Sequence, residues 1–296
     1  MIRRVAAALA ALLAAGCVTA RLEVGTPAQL AAATARIPAA QAGDVTVVAA
    51  GDVADCANLA AARATAALVE LFPSATVLVP GDTAYPDGAT NDFARCYGPT
   101  WGAFKSRTRP APGNHEYHTP DAAGYFAYFG VDPYYSFDLG GWHVVSLDSM
   151  LDMDEQSPQV AWLLRDLDAN TKPCVLAFWH HPRFSSGFHG HQRSDRGRKT
   201  GALWRVLAEH RAELIVNGHD HHYERFAPVD GIRELVAGTG GAELRPTLTV
   251  ARGSELRDAR YGVLVLTLHP SSYEWTFLST DGVVRDSSAA PEACRP

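Results

Sequence analysis

Short apolar runs alternate with amphipathic segments through the first two thirds of the chain. Residues 45–50 and 76–79 are apolar and rich in valine, and residues 58–72 between them place leucine and alanine at helical spacing. Strand, helix and strand in this order are typical of a βαβ unit. Residues 174–179 and 213–217 are further apolar runs of the same kind. The pattern therefore predicts an α/β protein.

The pattern changes towards the C-terminus, where the predicted strands follow one another through turns. Helices are predicted over residues 157–168 and 201–210, ahead of this region. The later strands are predicted over residues 232–237, 261–269 and 273–279. Together these elements predict one α/β domain with mixed sheets over residues 44–288, followed by a tail over residues 289–296.

The first twenty residues resemble an export signal rather than part of the fold. A basic start with Arg3 and Arg4 precedes an apolar run over residues 5–15, which is shorter than the about 20 residues that span a bilayer. Leu13 to Cys17 resembles a lipobox, so residues 1–16 would be removed and Cys17 lipidated. A cut after Ala20 is the alternative. The lipoprotein route is favoured, which predicts an envelope or secreted protein with a tether over residues 17–43.

Export places the mature chain in an oxidising compartment, where cysteines form disulfides. Cys56, Cys96, Cys174 and Cys294 remain on either export route. Four cysteines allow three pairings, and the sequence does not decide among them. The pairing expected is Cys56 with Cys96, since both flank early loops, which leaves Cys174 with Cys294.

The composition excludes several classes of protein. With 47% hydrophobic and 20% charged residues, the 296-residue chain is neither wholly disordered nor fibrous. A formal charge of −6 predicts no non-specific nucleic-acid binding. Membrane contact is expected only through the N-terminal lipid, and a monomer is the default.

Polar residues of ligand type follow several of the apolar runs. They are Asp52, Asp82, the turn from Gly113 to Glu116, His180, and His219 with His221. In α/β sheets, ligands bind at the carboxyl ends of the strands. Each motif alone is typical of an ordinary turn, but the whole series predicts one functional site.

The series Gly51-Asp52, Gly81-Asp82, Gly113-Asn114-His115-Glu116, His180-His181-Pro182 and Gly218-His219-Asp220-His221 resembles the calcineurin-like metallophosphoesterases. The resemblance implies an αββα sandwich of two mixed β-sheets and a centre with two metal ions.

One difference narrows the resemblance to the purple acid phosphatases, in a short bacterial secreted form. Many metallophosphoesterases have Asp-x-His in the first motif, but here Ala54 stands where that histidine would be. Tyr85 follows Asp82 by three residues, as does the tyrosine ligand of purple acid phosphatases. A phenolate stabilises a trivalent iron better than a neutral imidazole does. The alternative for Tyr85 is a buried ring that packs beside Pro86.

The resemblance implies two ligand sets that share Asp82. The first set, for Fe(III), is Asp52, Tyr85 and His221, and the second set, for a divalent Zn, Fe or Mn ion, is Asn114, His180 and His219. Two such ions clamp a phosphate and lower the pKa of a shared water. A metal-bound hydroxide then attacks phosphorus.

Further residues of these motifs have implied supporting roles. His115 is expected to face the substrate, where it binds a phosphoryl oxygen or protonates the leaving group, and Glu116 to orient it. His189 is expected to be a second substrate-facing histidine, with His191 as its competitor. Asp220 is expected to cap or to orient a metal ligand through a hydrogen bond.

The implied function is the hydrolysis of small phosphate monoesters. A phosphodiesterase on the same scaffold and a non-catalytic envelope binding protein are the alternatives. His181 is expected at the surface, and His222 is left out of the ligand set.

Overall fold

The computed structural model describes residues 22–192, 195–247 and 249–296. The predicted signal segment, with the proposed lipidation site Cys17, lies outside these residues. No helix in the described ranges is long and apolar enough to cross a membrane.

The described ranges contain sixteen β-strands. They are β1 Val45–Ala49, β2 Ala54–Asp55, β3 Thr76–Pro80, β4 Ala84–Tyr85, β5 Thr108–Ala111, β6 Tyr135–Leu139, β7 Trp142–Ser146, β8 Cys174–Phe178, β9 Leu214–Asn217, β10 Tyr223–Phe226, β11 Arg233–Ala237, β12 Ser254–Asp258, β13 Gly262–Leu268, β14 Ser272–Ser279, β15 Val284–Ser287 and β16 Glu292–Ala293. The α-helices are α1 Pro27–Thr34, α2 Leu59–Glu70, α3 Thr90–Asp92, α4 Ala123–Phe129, α5 Pro158–Ala169 and α6 Gly201–Glu209.

Two seven-stranded sheets form the body of the protein. The first has the order β15-β14-β13-β1-β3-β5, with β16 beside β14, and the second has the order β12-β10-β11-β9-β8-β7-β6. In the first sheet β1, β3 and β5 are parallel, whereas β13 is antiparallel to β1. In the second sheet β7, β8, β9 and β11 are parallel, whereas β6 and β10 are antiparallel to their neighbours. Both sheets are therefore mixed, as predicted.

Alternation along the strands produces the layers. In β1, Val47 and Ala49 pack into the core between the two sheets, whereas Val48 packs with α2 on the outer side. In β8, Leu176 faces the same inter-sheet core, and Ala177 packs with α5 and α6. Since successive side chains of a strand point to opposite faces, the order of layers is helix, sheet, sheet, helix. The predicted αββα sandwich is confirmed.

The packed body extends beyond the predicted domain limits at both ends. In the predicted tether, α1 is capped by Thr26 and packs on the core through Ala33. In the predicted tail, Glu292 bonds to Arg233, and Cys294 forms a disulfide with Cys174. A second disulfide joins Cys56 to Cys96. These are the expected pairings, and they connect segments that lie far apart in the sequence.

Candidate metal centre

The predicted ligands lie in turns that directly follow the strand ends. Asp52 follows β1, Asp82 follows β3, and His219 follows β9, with backbone φ angles of 60°, 50° and 70°. This left-handed conformation is uncommon for residues other than glycine and makes the chain turn within one residue. Asn114 follows β5 and His180 follows β8. Five strands of the two sheets thus contribute to one site.

Two glycines make room for these side chains. Gly81 has a φ of 84°, and a Cβ atom there would overlap the imidazole of His180. At Gly113 a Cβ atom would overlap the carboxylate of Asp82. Both positions therefore require glycine for close approach rather than for the turn alone.

The first predicted ligand set is assembled around the phenol of Tyr85. Its hydroxyl lies 2.9 Å from Oδ1 of Asp52, 3.1 Å from Oδ2 of Asp82 and 3.3 Å from Nε2 of His221. All four side chains are buried. Tyr85 therefore does more than pack beside Pro86, because its oxygen faces one atom of each of three other predicted ligands.

The second predicted set is assembled around Nε2 of His180. This atom lies 3.1 Å from Oδ1 of Asn114, 3.1 Å from Nδ1 of His219 and 3.2 Å from Oδ2 of Asp82. Oδ2 of Asp82 therefore belongs to both sets. The arrangement fits two neighbouring metal ions with one bridging carboxylate, since each set offers the oxygen and imidazole donors that such ions bind.

Hydrogen bonds on the far side of each ring fix the atom that faces the centre. Nδ1 of His180 donates to the carbonyl of Pro80 at 3.0 Å, and Nδ1 of His221 donates to that of Glu243 at 2.6 Å. Both rings therefore present an unprotonated Nε2 to the centre when neutral. Partners of this kind are typical of metal-ligating histidines.

The electrostatics of the centre also fit cations. Burial and the nearby charges of Asp52 and Asp82 raise the pKa of Tyr85 well above its ordinary value. Burial lowers the pKa of His180, but the charge of Asp82 outweighs it and raises that pKa to about 10. The carboxylates thus attract protons onto neighbouring ligands. Metal ions at the same place would replace those protons and reverse both shifts.

His115 lies beside the first ligand set. Its ring packs on that of Tyr85 at 4.2 Å between centroids, and its Nδ1 donates to the carbonyl of Pro86 at 2.6 Å. Nε2 consequently points towards Oδ2 of Asp82, 3.9 Å away. This orientation suits the expected contact with substrate.

From the sequence we expected Glu116 to orient His115, but the structure shows a different role. Its buried carboxylate instead accepts hydrogen bonds from the backbone N–H groups of Asp82, Thr83 and Gly113 at 2.7–2.9 Å. The Thr83 hydroxyl donates to it as well, at 2.7 Å. Glu116 therefore holds together the two loops that carry Asp82 and Asn114.

His189 lies beside the second ligand set, with its ring centroid 4.0 Å from that of His219. Its Nε2 accepts a hydrogen bond from Nη1 of Arg245 at 3.0 Å. Burial and the charge of His219 lower the pKa of His189 to about 4. His191, its competitor, instead contacts the hydroxyl of Thr249 at 2.8 Å.

Asp220 has the expected capping role but bonds to no ligand ring. Its carboxylate accepts hydrogen bonds from the Ser185 hydroxyl at 2.5 Å and from the backbone N–H groups of His189 and Gly190 at 3.0 and 3.3 Å. It therefore fixes the loop that carries His189.

Two further histidines, His181 and His222, were left out of the predicted ligand sets. His181 is buried rather than at the surface, because Ser149 from a distant loop contacts its Nδ1 at 2.8 Å. His222 is also buried, and its Nε2 donates to Glu224 at 3.0 Å. Its ring is therefore bonded away from the two ligand sets.

Two residues that contact the centre, Asp195 and Arg245, were not predicted from the sequence. Asp195 accepts a hydrogen bond from Nε2 of His219 at 3.0 Å, and donor atoms of Asp195, His219 and His181 lie within 4.8 Å of one another. Neither Asp195 nor Arg245 stands in a motif of recognisable spacing. An acidic residue in the loop after His180 and a basic residue in the loop after β11 were the only available signals.

Comparisons with known proteins identify the family of this chain. Residues 23–223 match the model of the calcineurin-like phosphoesterase family. Purple acid phosphatase 22 of Arabidopsis thaliana is 26% identical over 266 residues, which cover 74% of this chain and 59% of that protein. A nucleotide pyrophosphatase/phosphodiesterase of Hordeum vulgare is 25% identical over 66% of this chain and 68% of that protein.

A solved structure shares the fold. The purple acid phosphatase PPD1 from yellow lupin seeds superposes with a TM-score of 0.67 at 20% identity, over 82% of this chain and 53% of that one. The chain thus spans a little more than half the length of these two phosphatases. From its matched residues and its fold, the chain belongs to the calcineurin-like phosphoesterase family, and its relatives include purple acid phosphatases.

Proposed function

We propose that this protein hydrolyses small phosphate monoesters at a centre of two metal ions. Fe(III) is held by Asp52, Tyr85 and His221, and a divalent Zn, Fe or Mn ion by Asn114, His180 and His219. The observation that carries the proposal is the convergence of both donor sets on Oδ2 of Asp82. The chemistry that two such ions supply is Lewis-acid stabilisation of the phosphoryl charge and acidification of a water.

The side chains of the centre have separate tasks in this reaction. Asp82, Glu116 and the loops between them hold the donor atoms in place, so little reorganisation is needed when phosphate binds. His115 protonates the leaving group. As an imidazolium it carries protons on both nitrogens, so Nε2 can protonate the departing oxygen while Nδ1 keeps its bond to Pro86.

Turnover of p-nitrophenyl phosphate by metal-replete protein tests the proposal. We expect hydrolysis that is lost on chelation and restored by iron with zinc. Asp82→Asn should lose at least about 10³-fold in kcat, because it removes the charge shared by both donor sets. Asp132→Asn, at an exposed position, is the matched control. The absence of hydrolysis of any phosphate ester would instead favour a non-catalytic binding protein.

The iron assignment has its own test, because a tyrosinate–Fe(III) centre absorbs visible light. We expect a coloured protein that contains iron, and Tyr85→Phe should lose the absorption band. A colourless wild-type protein without iron by elemental analysis would contradict the role of Tyr85.

A phosphodiesterase is the second candidate, favoured by the similarity to the barley nucleotide pyrophosphatase/phosphodiesterase. Comparison of p-nitrophenyl phosphate with its bis ester separates the two. Preference for the bis ester would replace the monoesterase proposal.

We also propose that the protein works outside the cytoplasm, in the envelope or as a secreted enzyme. The disulfides Cys56–Cys96 and Cys174–Cys294 support this location, since such bonds persist in oxidising compartments. Mass spectrometry of the mature N-terminus tests the lipoprotein route. A lipidated Cys17 is expected, and an unmodified chain that starts at Arg21 would contradict it.

A further inference from the structure

The guanidinium group of Arg245 lies beside the second ligand set. Hydrogen bonds hold Arg245 both at its backbone N–H and at its guanidinium. The backbone N–H of Arg245 donates to the carbonyl of His221 at 3.0 Å. Its Nη1 donates to Nε2 of His189 at 3.0 Å. The loop after β11 thus carries a fixed positive charge to the wall of the centre.

The guanidinium is linked to the second predicted ligand set through the ring of His189. The ring of His189, which receives the hydrogen bond, packs on the ring of His219 with centroids 4.0 Å apart. His219 in turn faces Nε2 of His180 through its Nδ1 at 3.1 Å. One imidazole therefore separates the guanidinium from the second ligand set. His115, on the Tyr85 side, contacts the other set.

The charge of Arg245 is not neutralised by a carboxylate within the described ranges. By contrast, the half-buried Arg225 contacts Asp286 at 2.8 Å, and the buried Arg233 contacts Glu292 at 2.6 Å. Arg245 instead donates to a neutral acceptor and keeps its full charge.

Two acids that lie close to His189 and His219 are engaged elsewhere. Asp195 accepts the hydrogen bond of His219, and Asp220 accepts those of Ser185 and the His189 loop. A half-buried cation without an acidic partner is suited to an external anion.

We infer that Arg245 binds the non-bridging oxygens of the substrate phosphate and makes the site selective for monoesters over diesters. A guanidinium pairs with two oxygens of one phosphate at once. Above a pKa of about 6 a monoester carries two negative charges, whereas a diester carries one. The monoester also has one more non-bridging oxygen than the diester. The inference rests on the proposed function, since it assumes that phosphate binds at the two donor sets.

His189 acquires a different role from the one expected from the sequence. Its Nε2 is occupied by Arg245, so it acts as a positioning residue that aims the guanidinium. Asp220 supports it by binding the backbone N–H of His189. The sequence of contacts Asp220, His189 and Arg245 therefore directs one cation towards the phosphate.

The test compares two substrates and one ligand in metal-replete protein. For Arg245→Gln we expect kcat/KM for p-nitrophenyl phosphate to fall about 10- to 100-fold, the size of a lost charge-assisted hydrogen bond. For the bis ester we expect a fall below about 3-fold. Calorimetric binding of inorganic phosphate should weaken in parallel with the monoester loss, with unchanged metal content. Arg245→Lys keeps the charge and should show a smaller loss, and Arg252→Gln, exposed nearby, is the control.

The role of His189 is tested by two substitutions. His189→Ala should raise KM for the monoester and weaken phosphate binding, and His189→Gln, which keeps an acceptor, should restore part of both. Equal losses on both substrates, or unchanged phosphate affinity in Arg245→Gln, would overturn the inference. Wild-type protein that binds phosphate through Arg245 but hydrolyses nothing would contradict only the proposed function.

Discussion

The carboxylate of Asp195 accepts a hydrogen bond from Nε2 of His219 at 3.0 Å. Because that nitrogen keeps its proton, the lone pair of His219 is on Nδ1, which faces His180 at 3.1 Å. His219 thus presents the opposite nitrogen from His180 and His221, whose Nδ1 atoms are bonded to carbonyl groups. Asp195 therefore fixes which atom of His219 would face a bound metal ion.

We predict that Asp195→Ala weakens Zn²⁺ binding about 10- to 100-fold, the usual effect of removing such a partner. Asp195→Asn, whose amide oxygen still accepts from Nε2, should weaken it less. Competition with a chromophoric chelator measures the affinity, and Asp132→Ala at an exposed position is the control. If the alanine and asparagine variants bind equally weakly, the hydrogen bond is not the cause.

A second prediction concerns the stability of the loops that carry Asp82 and Asn114. Glu116→Ala removes the acceptor of several buried N–H groups, so we expect the free energy of unfolding to fall by about 3 kcal/mol or more. Urea unfolding of metal-free protein measures this without a contribution from bound ions. Glu155→Ala, which removes an exposed ion pair with Arg205, should cost below about 1 kcal/mol. Similar losses in both variants would contradict the role of Glu116.

The strands that carry the ligands could largely be predicted from the sequence. The runs that became β1, β3, β8 and β9 are apolar and end in a polar turn, which makes both the strand and its functional end recognisable. Strand β5 was not predicted, because Arg109 and Pro110 interrupt its pattern. Proline is tolerated there since β5 is the edge of its sheet.

What the sequence could not provide is contact between distant loops. Glu116 was placed beside His115 because they are neighbours in the chain, yet its carboxylate reaches back to Thr83. His181 was expected at the surface, but Ser149 covers it. Arg245 has no motif, and its place beside His189 results from how two loops fold over the same strand ends.

A third prediction is that the ion pairs of His143, far from the candidate metal centre, stabilise the folded protein in a pH-dependent way. His143 of β7 lies between Asp138 at 2.9 Å and Asp166 of α5 at 2.8 Å. Burial lowers its pKa, but the hydrogen bonds to the two carboxylates outweigh this and raise it. The stabilisation is therefore fully present below the unfolded value of about 6.5 and is lost as the pH rises through the folded value.

The measurement compares wild-type protein with His143→Gln by urea unfolding from pH 5 to pH 9. The wild type should be more stable at the acidic end, and the difference should shrink towards the alkaline end. Comparison at each pH cancels the titration of other groups. A difference that is constant across the range would show that the ion pairs do not titrate as expected.

The two disulfides should contribute unequally, because they close loops of different length. Cys56 and Cys96 are 40 residues apart, whereas Cys174 and Cys294 are 120 residues apart. If the bonds act by restricting the unfolded chain, the longer loop should stabilise the protein by about 1 kcal/mol more. Double serine variants of each pair, compared by urea unfolding with metal removed, measure the difference.

The Cys174 and Cys294 variant should also release the C-terminal segment, so hydrogen exchange should rise at Glu292 and its neighbours in β16. If that variant is no less stable than the other, segments such as β16 hold their place through pairing and the Arg233–Glu292 contact rather than through the disulfide.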